Sequence, residues 1–381
     1  MRATDASYRW SDAALDSMRL RGDPAADAVV RAIFEDGQVA AVNRLIVTLV
    51  RNDAPPPEEL PAVAREYFAA SASLPPWADR ARIGRASAFF GRHASRAMLI
   101  LGHYSLPACY AARRGVQVLH MTSRLSRNPR PRLLETAQLV FDVMAPGGLE
   151  PGGIGVRSAQ KVRLMHAAVR HLILEHGWDH ALGLPVNQED MVGTLLTFSA
   201  VILDGLRKLG FSVSDEDADA YVHAWNVVGV LMGVDESLLP GDAAEAGLML
   251  VNIQRRHFEP CPEGRQLTAA LTEILVESNR GTPFAGMSVS MMRFFLGDNT
   301  ADMLGIPPSD WTRELVAPLR LLGWLTGESH GRLPLLARAS ESFGCALVEG
   351  LLSMERAGRR AEFRLPEALG SVRRGGSEGA L

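Results

Sequence analysis

The residues best suited to bind a cofactor or carry out chemistry lie in the run "QKVRLMHAAVRH" at residues 160–171. Arg163, His166 and Arg170 occur there among the apolar positions of what reads as a buried helix. Spacings of three and four residues place the three side chains on one helical face. A buried arginine needs a compensating anion, so either these arginines reach the edge of the core or something negative meets them.

A neutral imidazole between cations suits an iron porphyrin, because one ring nitrogen can ligate the metal while the cations meet the propionates. An ordinary core histidine bonded to a backbone carbonyl is the alternative. The helix alone favours this ordinary interpretation. A zinc site at His176 and His180 is disfavoured, since Gly177 interrupts the helix and no His-Glu-x-x-His pattern is present.

The preceding helical segment, "PRLLETAQLVFDVM" at residues 131–144, adds a second polar cluster to an apolar stripe. Helical spacing places Arg132, Glu135 and Thr136 on one face, together with Leu139. A local ion pair between Arg132 and Glu135, with Thr136 bonded back to the helix, would be the structural explanation. Two polar clusters on successive helices nevertheless favour a functional site.

The elements that must position these residues are helices, because apolar residues recur at three- and four-residue spacing almost everywhere. The sequence therefore predicts an all-α, multi-helix bundle. Start signals precede several segments and glycines follow two of them. The starts are Asp23, Asn187, Ser214 and Asp242, and the stops are Gly210 and Gly233. Later helices are predicted at about 264–279, 286–297, 309–325 and 334–357.

The 381 residues suffice for one large domain. We expect an N-terminal segment at 1–22, a single helical domain at 23–365 and a flexible tail at 366–381. The net charge of −3 and the pI near 6.4 argue against nucleic acid as a partner. The charge-free stretch at 97–112 is too short for an integral membrane segment.

The cysteines and the first residues predict a cytoplasmic protein. Cys109, Cys261 and Cys345 are too far apart for a disulfide framework or a zinc ribbon, which indicates a reducing compartment. Acidic residues in "MRATDASYRWSDAALDSMRLRGDP" occupy the place where a signal peptide needs an apolar run. The sequence gives no indication of the oligomeric state.

Linked motifs across about residues 95–260 carry a family resemblance. The runs are "RLLET", "FDVM", "KVRLMHAAVRH", "WDHALGLPVNQEDMVGTLLTFS" and "HAWNVVGVLMGVDESLLP". In this order and spacing they resemble the latex-clearing-protein (rubber oxygenase) and MpaB-type oxygenase family. Such a series is far more specific than any single motif.

The resemblance implies a globin-like core that holds a non-covalent b-type haem, and no Cys-x-x-Cys-His attachment motif is present. By similarity His166 is the proximal iron ligand, and Arg132 and Thr136 lie near bound dioxygen. The resemblance also implies cofactor contacts for three arginines, which are Arg163, Arg170 and, in "SMMRFF", Arg293.

Two departures weigh against polyisoprene as the substrate. Glu135 stands where rubber-cleaving members have a lysine, and no Asp or Glu occurs between Tyr110 and Leu134. We therefore expect an intracellular haem-dependent oxygenase that uses O2 on a small, largely apolar molecule, such as an isoprenoid or an unsaturated lipid. Glu135 is the candidate for proton transfer. A peroxide-dependent peroxidase or peroxygenase and a non-enzymatic haem sensor or apolar-ligand carrier are the alternatives.

Overall fold

The fold of the described chain is entirely helical. The computed structural model describes residues 9–122, 129–277, 281–282, 286–312, 314 and 362–366. These residues contain no β-strand, and their one isolated backbone bridge joins Ala112 to Phe258. The prediction of an all-α, multi-helix fold is confirmed. No helix in these ranges is both long enough and apolar enough to cross a bilayer.

Sixteen α-helices are described in these ranges. They are α1 (Asp12–Arg19), α2 (Pro24–Glu35), α3 (Val39–Ile46), α4 (Ala62–Ala70), α5 (Arg80–Ile100), α6 (Leu106–Ala111), α7 (Arg113–Met121), α8 (Pro129–Met144), α9 (Gly155–Glu175), α10 (Gln188–Phe198), α11 (Ala200–Lys208), α12 (Asp215–Leu231), α13 (Ala243–His257), α14 (Pro262–Glu277), α15 (Met287–Leu296) and α16 (Asp298–Met303). A π-helical turn at Leu101–Ser105 joins α5 to α6. Single 3₁₀ turns occupy His180–Leu182 and Glu236–Leu238.

The predicted helix starts are the observed ones. Asp23, Asn187, Ser214 and Asp242 each accept a hydrogen bond from a backbone amide of the first turn that follows. Such bonds satisfy amides that have no partner within the helix. The prediction of one helix between the start at Asn187 and the stop at Gly210 was wrong, because α10 and α11 are separated at Ser199. The carbonyl of Leu195 accepts from both the amide and the hydroxyl of Ser199, at 3.1 and 3.0 Å, and such an added side-chain bond often bends a helix.

The helices predicted toward the C-terminus are only partly within the described chain. α14 and α15 correspond to the segments predicted at 264–279 and 286–297. The segment 334–357, most of 309–325 and the tail beyond residue 366 lie outside the described residues. The division into an N-terminal segment, one domain and a tail stays a prediction.

Helix α9 lies between two apolar clusters and so connects the two parts of the core. Leu164, Ala167 and Ala168 pack with the N-terminal helices α2, α3 and α4. Val162 and Met165, on the other side, belong to the main cluster with α8, α10 and α12. The helix predicted to carry the chemistry is therefore held on both sides.

Asn52 fixes the beginning of α9 from a distant part of the chain. Its side-chain oxygen accepts from the Val156 amide at 3.0 Å, and its amide nitrogen donates to the carbonyls of Gly148 and Glu150 at 2.9 and 2.6 Å. The glycines of this turn allow close approach, since a Cβ at Gly153 would lie 2.2 Å from the carbonyl oxygen of Gly147. The glycine-rich break is thus a packed corner that orients α9.

We expect Asn52→Ala to lower the free energy of unfolding by about 3 kcal/mol, because it leaves buried donors and acceptors without partners. Urea denaturation of the variant and the wild type measures this difference. Gln117→Ala is the control, since the Gln117 amide donates to an exposed carbonyl of its own helix at 3.3 Å and otherwise interacts with the Glu263 carboxylate at the protein surface. An equal loss in both variants would contradict the structural role of Asn52.

Candidate functional site

A cavity of about 250 Å³ lies inside the main helical cluster. Its wall comes from helices α6 to α10, α12 and α13, together with Phe363 near the C-terminus. Leucine, valine, methionine and aromatic side chains make up most of this wall. An enclosed, mostly apolar space with a few polar groups is the usual form of a small-molecule or cofactor site.

His166 extends from α9 into the wall of this cavity. Burial, together with the positive charges of Arg132 and Arg170, lowers the pKa of His166 to about 3. The imidazole is therefore neutral near physiological pH, which is the form that ligates metals. Its Nδ1 atom is buried and has no hydrogen-bond partner among the described residues. The structure thus does not show the backbone-bonded core histidine of the alternative interpretation.

Three polar residues of α8 line the same cavity as His166. They are Arg132, Glu135 and Thr136, as the helical spacing predicted. Nη1 of Arg132 lies 3.5 Å from a carboxylate oxygen of Glu135 and 3.3 Å from the sulfur of Met165, the residue next to His166. The Thr136 hydroxyl donates to the backbone carbonyl of Arg132 at 3.0 Å. The local ion pair and the helix bond therefore exist, and both face the cavity.

Several buried polar atoms at this wall have no hydrogen-bond partner among the described residues. They include the Tyr110 hydroxyl, the Trp225 indole nitrogen and Nδ1 of His166 and His257. All four side chains line the cavity. Buried polar groups in native proteins are nearly always satisfied, by water or a ligand if not by protein. This wall therefore fits a bound molecule that carries acceptor atoms or a metal.

The two arginines that flank His166 on α9 do not line the cavity. Arg163 makes a bidentate contact with Asp23, at 2.5 and 2.8 Å. Arg170 contacts the Asp27 carboxylate and donates to the carbonyls of Pro185 and Val186. The anions that compensate these buried cations are the protein's own aspartates. Cofactor contact by these arginines stays a prediction, and the structure gives their charges other partners.

Arg293 also lies away from the cavity wall. It is buried in α15, where it donates to the carboxylates of Asp298 and Asp302 and to the carbonyl of Ile306. These contacts join α15 to α16 and to the turn that follows. Arg293 therefore has a local structural role in the described chain, and its predicted propionate contact gains no support from its position.

The sequence interpretation missed a second polar group of the cavity wall. Glu189 was not among the predicted site residues, yet its carboxylate is buried and lies 2.9 Å from Nε2 of His257. Arg19 and Arg256 also contact it, at 3.2 and 2.7 Å. Although burial disfavours the charge, His257 and Arg256 hold the pKa of Glu189 at about 2. No local signal predicts this cluster, because its members come from α1, α10 and α13.

Comparison with known proteins assigns this architecture to a family. The family model described as "ER-bound oxygenase mpaB/B'/Rubber oxygenase, catalytic domain" matches residues 90–328. The chain belongs to the MpaB/rubber-oxygenase family. The rubber oxygenase of Streptomyces sp. (strain K30) is 28% identical over 353 residues, which cover 91% of this chain and 85% of that protein. A structure of latex clearing protein in the closed state superposes with a TM-score of 0.77 at 27% identity, covering 92% of this chain and 95% of that one.

The predicted membership of the MpaB/rubber-oxygenase family is therefore confirmed. The matched residues include the whole of the motif region at 95–260 and nearly all of the cavity wall. The cavity with His166 and the α8 residues thus lies in an oxygenase catalytic domain, although the family match does not by itself assign a role to any residue.

We expect Glu189→Gln to lower the free energy of unfolding by about 2 kcal/mol at pH 7, because the buried Arg19 and Arg256 each lose one carboxylate partner and keep only Asp190 and the exposed Asp12 and Asp16, respectively. The folded-state pKa of Glu189 is depressed, so its contribution is present above pH 4.5 and is lost as the pH falls toward 2. Urea denaturation across this range should show the difference between variant and wild type shrinking. The exposed Glu216→Gln is the control. A difference that stays constant with pH would contradict the ionised state of Glu189.

Proposed function

We propose that this chain is a haem-dependent oxygenase that uses dioxygen to oxidise a small, largely apolar molecule. His166 would hold the iron of a non-covalent b-type haem. Arg132, Glu135 and Thr136 are the proposed catalytic residues on α8. The family match supports an oxygenase, and the cavity wall supports the choice of cofactor and residues.

The observation that carries the proposal is the unpartnered, neutral imidazole of His166 in a mostly apolar cavity. A charged imidazole could not ligate iron, and the low pKa removes that obstacle. A bound non-protein group beside the ring would account for the Nδ1 atom of His166, which has no hydrogen-bond partner among the described residues. The residues of this wall therefore fit a haem.

When bound, the haem would supply the redox chemistry that dioxygen needs. The protein's own contribution comes from α8. The Arg132 guanidinium can donate hydrogen bonds to a reacting oxygen, because it carries five N–H groups and lines the cavity. Thr136 offers its hydroxyl oxygen as an acceptor while its hydrogen is directed to the helix.

Glu135 is the proposed proton carrier of the site. Its carboxylate lines the cavity and lies within ion-pair distance of Arg132. A carboxyl group so placed can accept a proton and return it within the apolar space, where few other groups can do so. The surrounding leucine, valine and methionine side chains exclude bulk water and favour an apolar substrate.

Arg163, Arg170 and Arg293 have no direct contact with the cofactor in this proposal. Their carboxylate partners already neutralise them. Arg170 acts at a distance, since its charge adds to that of Arg132 in lowering the pKa of His166. An intracellular setting is also proposed. It is supported by Cys109 and Cys261, which are free thiols, while Cys345 lies outside the described residues.

A peroxide-dependent reaction is the second candidate. The adjacent guanidinium and carboxylate of Arg132 and Glu135 could stabilise charge and transfer a proton during O–O cleavage. The two candidates use the same residues and differ in the oxidant.

We expect the purified protein to show a strong Soret band, and His166→Ala to lose or shift it. Visible absorption spectroscopy of both proteins measures this. His171→Ala is the matched control, because His171 lies on the same helix but outside the cavity wall and pairs with Glu175. A colourless wild-type protein that also fails to take up added haem would overturn the proposed cofactor.

We expect Glu135→Ala to lower turnover of an unsaturated apolar substrate by about a hundredfold or more, with the haem content unchanged. The assay is run once with dioxygen and a reductant and once with peroxide. Glu277→Ala is the control, since it also removes the carboxylate of an arginine pair but is exposed. Unchanged turnover would remove Glu135 from the mechanism, and turnover with peroxide alone would favour the second candidate.

A further inference from the structure

One residue that lines the cavity lies far from all the other lining residues in the sequence. All other lining residues fall between Leu101 and Phe258, and the remaining one is Phe363. The family match ends at residue 328, so Phe363 does not belong to the region that defines the family. Its side chain is only 6% exposed and packs into the main apolar cluster.

The segment 362–366 alternates between inward and outward side chains. Phe363 and Leu365 are buried, whereas Glu362 and Arg364 are exposed and bond each other at 3.0 Å. A period of two residues is that of an extended chain. Leu365 belongs to the cluster of α2, α3 and α4, so the segment connects this N-terminal layer to the cavity.

Asn43 on α3 fixes the position of this segment. Its amide nitrogen donates to the carbonyl of Leu365 at 3.0 Å, and its side-chain oxygen accepts from the amide of the same residue at 2.8 Å. Both groups are buried, so the paired bonds favour one register strongly. A slip of one residue would direct Phe363 outward and Arg364 toward the cavity.

We infer that Phe363 determines the length of apolar substrate that the cavity accepts, and that Asn43 is a positioning residue that holds it there. This inference rests on the proposed function, since it concerns the substrate of the same cavity. The phenyl ring of Phe363 is part of the mostly apolar wall of the cavity. Its removal therefore lengthens the space without adding a polar group. Because each buried methylene contributes about fourfold in affinity, a change in this wall should be visible in the chain-length preference.

The experiment measures how linear 1-alkenes of increasing length displace the neutral fluorophore N-phenyl-1-naphthylamine from the full-length protein as purified. For Phe363→Ala we expect the preferred length to increase by a few carbons, and for Phe363→Trp to decrease. Asn43→Ala should broaden the preference and Arg364→Ala should leave it unchanged, because Arg364 bonds only Glu362 among the described residues.

The outcomes separate this inference from the proposed function. A wild-type protein that binds none of the alkenes would contradict both. Alkene binding with the same length preference in wild type, Phe363→Ala and Phe363→Trp would overturn the inference alone. Circular dichroism melting identifies any variant that fails to fold, and the other Phe363 variant then provides the test. A merely structural role of Phe363 predicts no opposite shifts of the preferred alkene length in the two variants.

Discussion

The burial of cations on α9 is the constraint on which the rest of the structure depends. Arg157, Lys161, Arg163 and Arg170 are all largely buried on this helix. A buried cation is stable only when oxygen atoms surround it. Lys161 donates to the carbonyl of Leu49, and Arg157 donates to carbonyls near residues 51–54 and 68. The loops and helices before residue 71 therefore pack where α9 needs acceptors, which explains why the N-terminal layer covers this side of the helix.

The same constraint leaves the face of α9 around His166 free for chemistry. The guanidinium and ammonium groups turn toward the N-terminal layer and its loops, whereas His166 lines the cavity together with residues of α8. The positive charges of Arg132 and Arg170 nevertheless lie close enough to disfavour protonation of the imidazole. Burial and these charges both lower the pKa of His166. At Glu189, burial raises the pKa while His257 and Arg256 lower it, and the lowering prevails. One interior thus contains a histidine kept neutral mainly by burial and a glutamate kept ionised by its partners.

The features that the sequence could predict are those determined by nearby residues. Helix starts at Asp23, Asn187 and Ser214 follow from one side chain and the amides two or three residues later. The shared face of Arg132, Glu135 and Thr136 follows from helical spacing alone. The partner of Arg163 does not, because Asp23 lies 140 positions away and only the packing of α2 on α9 brings it near. A pattern of arginines around a histidine shows that anions are required, but it does not distinguish a cofactor's carboxylates from the protein's own.

The distribution of polar groups around the cavity indicates how such a site can bind an apolar molecule and still perform chemistry on it. Arg132 and Glu135 form one polar corner, and Glu189 with His257 forms another. Within each corner opposite charges or hydrogen-bonding groups are adjacent, so neither presents an unbalanced charge to the apolar space. An apolar ligand then loses little by entering, since it displaces water without facing an isolated ion. The orientation of such a ligand must come from the shape of the apolar wall. Polar chemistry can begin at the corner formed by Arg132 and Glu135, on the same cavity wall as His166.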